Sequence, residues 1–115
     1  MYDDGYELIH NADISSVVIK QMRERNQDRV KMTYEVMDCT DMTSIPDNFF
    51  DVAIDKSTID ALLCGDNAYL MVAKMTREIQ RVLKPTHGVY IAISYGKPET
   101  RAQHFERAHL KFTTK

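Results

Sequence analysis

The stretch YLMVAKMTREIQRVLKPTHGVYIAIS, residues Tyr69–Ser94, decides the fold. Met71, Met75, Ile79, Val82 and Leu83 recur at the spacing of one helical face, against Lys74, Arg77, Glu78 and Arg81. That predicts a helix over Tyr69–Lys84. Pro85 lacks the amide needed to continue it, and Thr86-His87-Gly88 turns the chain. Val89–Ser94 then reads as a strand that is apolar on both faces. Such a strand belongs in a parallel sheet covered by helices on both sides.

Working outward, the same alternation recurs. Glu7–Ala12 reads as a strand ending at Asp13, followed by a helix from about Ser15 to Asn26. Ser15 or Asp13 is placed to cap that helix, with Val17, Val18 and Met22 on its inner side. Met32–Met37 alternates apolar and polar residues and ends at Asp38-Cys39. Ile45-Pro46-Asp47-Asn48 is a turn. Phe50–Ile54 is a third strand, ending at Asp55-Lys56. A short helix opens at Ser57, which stands at capping-box spacing from Asp60. The tail reads as helical over Glu99–Arg107 with a strand at Leu110–Thr113. Strands alternating with helices define an α/β protein.

The chain has 115 residues, enough for one domain, with 43% hydrophobic and 28% charged residues. Fifteen Lys plus Arg against seventeen Asp plus Glu give a net charge of -2. That balance argues against a protein whose main task is gripping nucleic-acid phosphates. The cluster Lys20, Arg23, Arg25, Arg29 and Lys31 is interrupted by Glu24 and Asp28 and reads as a solvated face. The longest apolar runs, Ile59–Cys64 and Val89–Ile93, fall far short of the roughly 20 residues that span a membrane. The acidic start Met1–Gly5 lacks the pattern of a signal peptide. Cys39 and Cys64 fit reduced thiols in a cytoplasmic protein. His10, His87, His104 and His109 have no zinc-type spacing, and no metal is expected. Neither a G-x-S-x-G elbow nor a P-loop is present.

Three strands end in an aspartate: Asp13, Asp38 and Asp55. In open parallel sheets, ligands bind outside the carboxyl ends of the strands, so these acids suggest one ligand crevice. Asp13 has two readings of equal standing, a ribose-binding acid or a helix cap. Asp38 is an acceptor for an adenine amino group or an Asx-turn residue. Asp55 and Lys56 lie where a transferred group would be, or form a surface ion pair of little worth.

At these residues the chain resembles a known family. Tyr6–Ser15, YELIHNADIS, followed by SVVIKQM, is similar to the second strand and helix of class I (seven-β-strand) S-adenosylmethionine-dependent methyltransferases. YEVMDCTDM resembles their third-strand motif. FFDVAIDKSTIDALL resembles the D-K-G-T-[LI]-D-A-[LV] signature of the branch containing the elongation factor 1-alpha lysine methyltransferases, including the type encoded near endothelin-converting enzyme 2. EIQRVLKPTHGVYIAIS resembles the R-V-L-K-P-G-G turn before strand five. The resemblance runs from about Tyr2 to Ser94 and implies a Rossmann-like, doubly wound, mostly parallel sheet.

Carried over by position, the resemblance implies that Asp13 binds ribose with Ile14 beside the adenine. Asp38 and Cys39 would contact the adenine. Asp55 and Lys56 would lie at the methionine end, where the methyl acceptor enters and transfer is catalysed. The implied function is S-adenosylmethionine-dependent methylation of a protein lysine, with a translation elongation factor as partner. Three features depart from the family. The E/D-x-G-x-G loop does not occur, Ser57 stands where the branch usually has Gly, and Thr86-His87-Gly88 is longer than Gly-Gly. The expectation is a single methyltransferase-like domain incomplete at both ends. The competing readings are a non-catalytic remnant that binds a partner without cofactor and, more distantly, a nicotinamide-dependent dehydrogenase.

Overall fold

The computed structural model describes residues 1–115. The chain divides into two compact units, Met1–Cys39 and Thr40–Lys115. Each is built on one pair of parallel strands, so the α/β expectation holds.

In the first unit, β1 (His10–Asp13) and β2 (Thr33–Val36) pair with His10 beside Thr33 and Asp13 beside Val36. Parallel neighbours need a crossover, and α1 (Ser16–Arg25) supplies it, packing on both strands. Ser15 is the cap: its Oγ accepts from the Val18 amide at 3.2 Å. The inner face differs from the sequence expectation. Val17 and Val18 are exposed and Ile19 is buried. Half-buried Ser15, Met22 and Asn26 flank Ile19 at steps of four, three and four, the period of one helical stripe. β1 also begins later than expected, because the Ile9 amide bonds locally to the Glu7 carbonyl at 2.9 Å.

The second unit contains β3 (Val52–Lys56), α2 (Thr58–Leu63), α3 (Ala68–Val82), β4 (Val89–Ile93) and α4 (Pro98–Arg101). β3 and β4 run parallel, Val52 beside Val89 and Lys56 beside Ile93. Its core gathers Ile59 from α2 with Val72, Met75, Ile79 and Val82 from α3. Buried Thr76 on that stripe donates its hydroxyl to the Val72 carbonyl at 3.0 Å, which satisfies it. α3 ends two residues earlier than expected. The Lys84 amide leaves the helical ladder for the Phe50 carbonyl at 2.9 Å, and Leu83 bridges Phe50. Gly88 is required in the following turn, since a Cβ there would stand 2.4 Å from the Lys84 carbonyl oxygen.

Two further expectations are corrected. β4 is not covered on both sides: Val89, Ile91 and Ile93 are about half exposed, together with their neighbours Val52 and Ile54. The tail forms α4 and a 3-10 turn at Ala102–His104, and Leu110–Thr113 is not a strand. Leu110 is buried instead, and the Lys111 amide donates to the Gln80 side chain rather than to a strand neighbour.

Candidate functional site

Asp13 closes β1, and the amide of Met37, just past the end of β2, donates to its carbonyl at 2.9 Å. The strand ends therefore bring Asp13-Ile14 and Asp38-Cys39 to one rim of the first unit. Asp13 Oδ1 accepts from the Ser15 amide at 2.8 Å, and its other oxygen has no protein partner. The carboxylate thus braces the turn before α1 and keeps acceptor capacity facing solvent. Ile14 beside it is 72% exposed, an apolar surface at a polar rim. Asp38 is exposed, and Cys39 is a half-buried cysteine outside any disulfide.

Asp55 and Lys56 fall within β3, at its carboxyl end. Asp55 is only 6% exposed. Its Oδ1 accepts from the Thr58 amide at 2.7 Å, and its Oδ2 from the Ile59 amide at 3.2 Å and the Tyr90 hydroxyl at 2.8 Å. Two of the donors that a helix start leaves unpaired are thereby satisfied by Asp55. The expected capping box of Ser57 and Asp60 does not form. Ser57 is in the left-handed region (φ 68°) with no side-chain cap bond, and its amide donates to the Ile93 carbonyl at 2.9 Å.

Asp60 instead reaches the segment after β4. It accepts from the Ser94 hydroxyl, from the Tyr95 amide at 3.0 Å and from Arg101 at 3.2 Å. The Ser94 hydroxyl beside it, with the Tyr95 amide and the Arg101 guanidinium, holds its carboxyl below the usual carboxylate range. Ser94 Oγ in turn accepts from Arg101 Nε at 3.0 Å. Lys56 and this cluster share the carboxyl end of the β3–β4 pair. Sequence reasoning missed the cluster because Asp60 and Arg101 are 41 positions apart and no local pattern joins them.

A second network escaped the periodicity argument. Glu78 and Arg81 lie on the polar side of α3, yet both are half-buried. Arg81 donates to both Glu78 oxygens, to Asp47 and to the Met42 and Ile45 carbonyls, fixing residues 42–47 to the helix. The Arg81 guanidinium lowers the Glu78 pKa against the opposing effect of burial, and Glu78 with Asp47 raises that of Arg81. Neither network groups three or more metal-ligating side chains.

Parallel strands with helical crossovers are the arrangement of a Rossmann-like fold, and the acids stand at the strand ends. The class follows from comparison with known proteins. A methyltransferase domain family model matches residues 1–91, and the chain belongs to that family. It is 42% identical over 113 residues to the eEF1A lysine and N-terminal methyltransferase of Bos taurus, covering 93% of this chain and 16% of that protein. It is 32% identical over 113 residues to EEF1A lysine methyltransferase 4 of Bos taurus, covering 91% of this chain and 44% of that one. Among solved structures, the PH0226 protein from Pyrococcus horikoshii OT3 matches with a TM-score of 0.68 at 28% identity, over 90% of this chain and 43% of that chain. The chain therefore spans less than half the length of each of these proteins. No helix is long and apolar enough to cross a membrane.

Proposed function

We propose that the chain takes part in S-adenosylmethionine-dependent methylation of a protein lysine, and that both units belong to one methyltransferase-like domain. The carrying observation is Asp13: a strand-end carboxylate with one oxygen bracing a turn and the other open beside exposed Ile14. That acceptor beside an apolar surface fits an adenosine, whose ribose hydroxyls donate and whose base has an apolar face. Asp13 would hold the ribose, Ile14 would lie against the adenine, and Asp38 with Cys39 would meet its edge. When bound, S-adenosylmethionine supplies a methyl group activated by its sulfonium.

Asp55 and Lys56 form the transfer end in this reading. An acceptor lysine, with a reference pKa near 10.4, must lose a proton before it attacks. Asp55 accepts one hydrogen bond on Oδ1 and two on Oδ2, so a lone pair of Oδ1 would be the one to take that proton while the Tyr90 hydroxyl stays bonded. Lys56, exposed on the same rim, adds a positive charge there. The names of the relatives support eEF1A as the acceptor. That Cys39 and Cys64 form no disulfide supports work in the cytoplasm.

Calorimetry with S-adenosylmethionine tests the reading. Asp13→Ala is expected to weaken binding about tenfold or more, the worth of a hydrogen bond to a charged group. Asp55→Ala is expected to slow single-turnover methylation of recombinant eEF1A more than it weakens cofactor binding. Unchanged affinity in Asp13→Ala rejects the ribose assignment. No binding by the wild-type chain at millimolar cofactor leaves a non-catalytic, partner-binding role.

A further inference from the structure

Ser57 holds a left-handed backbone (φ 68°) at the junction of β3 and α2. That conformation is strained for a non-glycine residue, so the surroundings must over-determine it. Part of the restraint is the Ser57 amide bond to Ile93, and part is the double capping of α2 by Asp55. A carboxylate caps two successive amides only in a narrow range of side-chain orientations. Asp55 therefore needs something to hold its rotation.

Tyr90 supplies it. Tyr90 stands beside Ala53 in the parallel register, so its side chain shares a face with Asp55, two residues further along β3. Its hydroxyl donates to Asp55 Oδ2 at 2.8 Å. Behind the ring, Phe105 packs edge-on at 5.5 Å and Phe112 lies tilted at 6.1 Å. The phenol is thus aimed from a rigid strand and backed by two rings from the tail.

We propose that Tyr90 is a positioning residue for methyl transfer: its hydroxyl fixes the Asp55 carboxylate in the orientation that caps α2 and so preserves the Lys56-Ser57 turn. The role in transfer rests on the function proposed above. The local role does not, and the two are measured separately.

Tyr90→Phe removes the hydroxyl and keeps the ring packing, so the fold survives. Amide hydrogen exchange at Thr58 and Ile59 is expected to speed up about tenfold, the factor set by a hydrogen bond to a charged group, while Met71 on α3 is unchanged. Single-turnover methylation of eEF1A is expected to slow by about the same factor, with S-adenosylmethionine affinity altered less than about twofold. Mere ring packing would move neither readout, because the ring is retained. Unchanged exchange at Thr58 and Ile59 overturns the proposal, as does an unchanged transfer rate in an active protein. If the wild-type chain binds no cofactor, the proposed function fails, and exchange alone then decides whether Tyr90 positions Asp55.

Discussion

Asp13, at the end of β1, commits one carboxylate oxygen to the Ser15 amide and leaves the other without a protein partner. Asp55, at the end of β3, commits both oxygens to three donors and is buried. The residues look equivalent in sequence, each an aspartate closing a strand. Their surroundings separate a carboxylate with acceptor capacity to offer a ligand from one that builds the scaffold. The two units differ in the same way. Ile19 is the single buried apolar residue of the first, and the rest of the buried apolar core lies in the second.

The largest expected effect tests that asymmetry in the cores. Ile59 is 0% exposed, and Ile59→Ala is expected to cost about 2–5 kcal/mol in urea unfolding through lost burial and a residual cavity. Val17, 62% exposed on α1, should change stability by less than about 0.5 kcal/mol when replaced by Ala. Comparable losses would mean that the first unit buries its helix more deeply than its exposure states.

Asp60→Asn against Asp13→Asn sharpens the contrast between rims. Asp60 anchors Ser94, Tyr95 and Arg101, so Asp60→Asn is expected to lower the thermal midpoint clearly. Asp13→Asn should leave the midpoint near wild type and act on cofactor affinity. Asp60 and Glu78 both have pKa values lowered from their ordinary 3.8 and 4.5. A lowered carboxylate pKa adds stability above the unfolded value and loses it as pH falls through the folded one. Acid unfolding between about pH 5 and 2 should therefore begin at higher pH in wild type than in Glu78→Gln measured against its own neutral-pH stability.

What the sequence disclosed follows from the range of each interaction. α3 and its stripe were legible because periodicity is local, and its early end was not, because Phe50 captures the Lys84 amide from another segment. The strand-end aspartates were legible as positions. Their difference was not, since Tyr90 lies 35 residues from Asp55 and Arg101 lies 41 from Asp60. The Ser57–Asp60 capping box failed for a related reason. Asp55, already oriented by Tyr90, satisfies the helix start from the strand, and Asp60 is drawn away by Ser94. Val17 and Val18 were misplaced because an apolar side chain does not reveal which way a ten-residue helix is rotated about its axis.

His104 extends the comparison to pH. It is 2% exposed, stacks on Tyr69 at 5.5 Å and buries its Nδ1 without a hydrogen-bond partner. Burial, then the nearby Arg107 and Arg101 charges, lower its pKa from the ordinary 6.5. The folded state therefore favours neutral His104, and its contribution is complete above the unfolded pKa. It falls away as pH drops below about 6.5 and the unfolded chain takes up the proton first. Measured from pH 7.5 to 5.5, wild type should lose stability that His104→Phe retains. Identical slopes would show that the ring is not held neutral.

Tyr34 is the counterpart in the first unit. Its hydroxyl oxygen is buried without a hydrogen-bond partner, and the residue lines one cavity together with Ile19 and Met22. An unmatched hydroxyl carries a desolvation cost with no return, so its removal with the ring kept should stabilise. Tyr34→Phe is expected to gain up to about 1 kcal/mol in urea unfolding. Tyr90→Phe, which deletes a hydroxyl bonded to Asp55, should move in the opposite direction. The same chemical change in two strands would then give opposite signs, set by whether the oxygen had a partner. A loss of stability in Tyr34→Phe would reveal an acceptor for its hydroxyl and erase that distinction between the units.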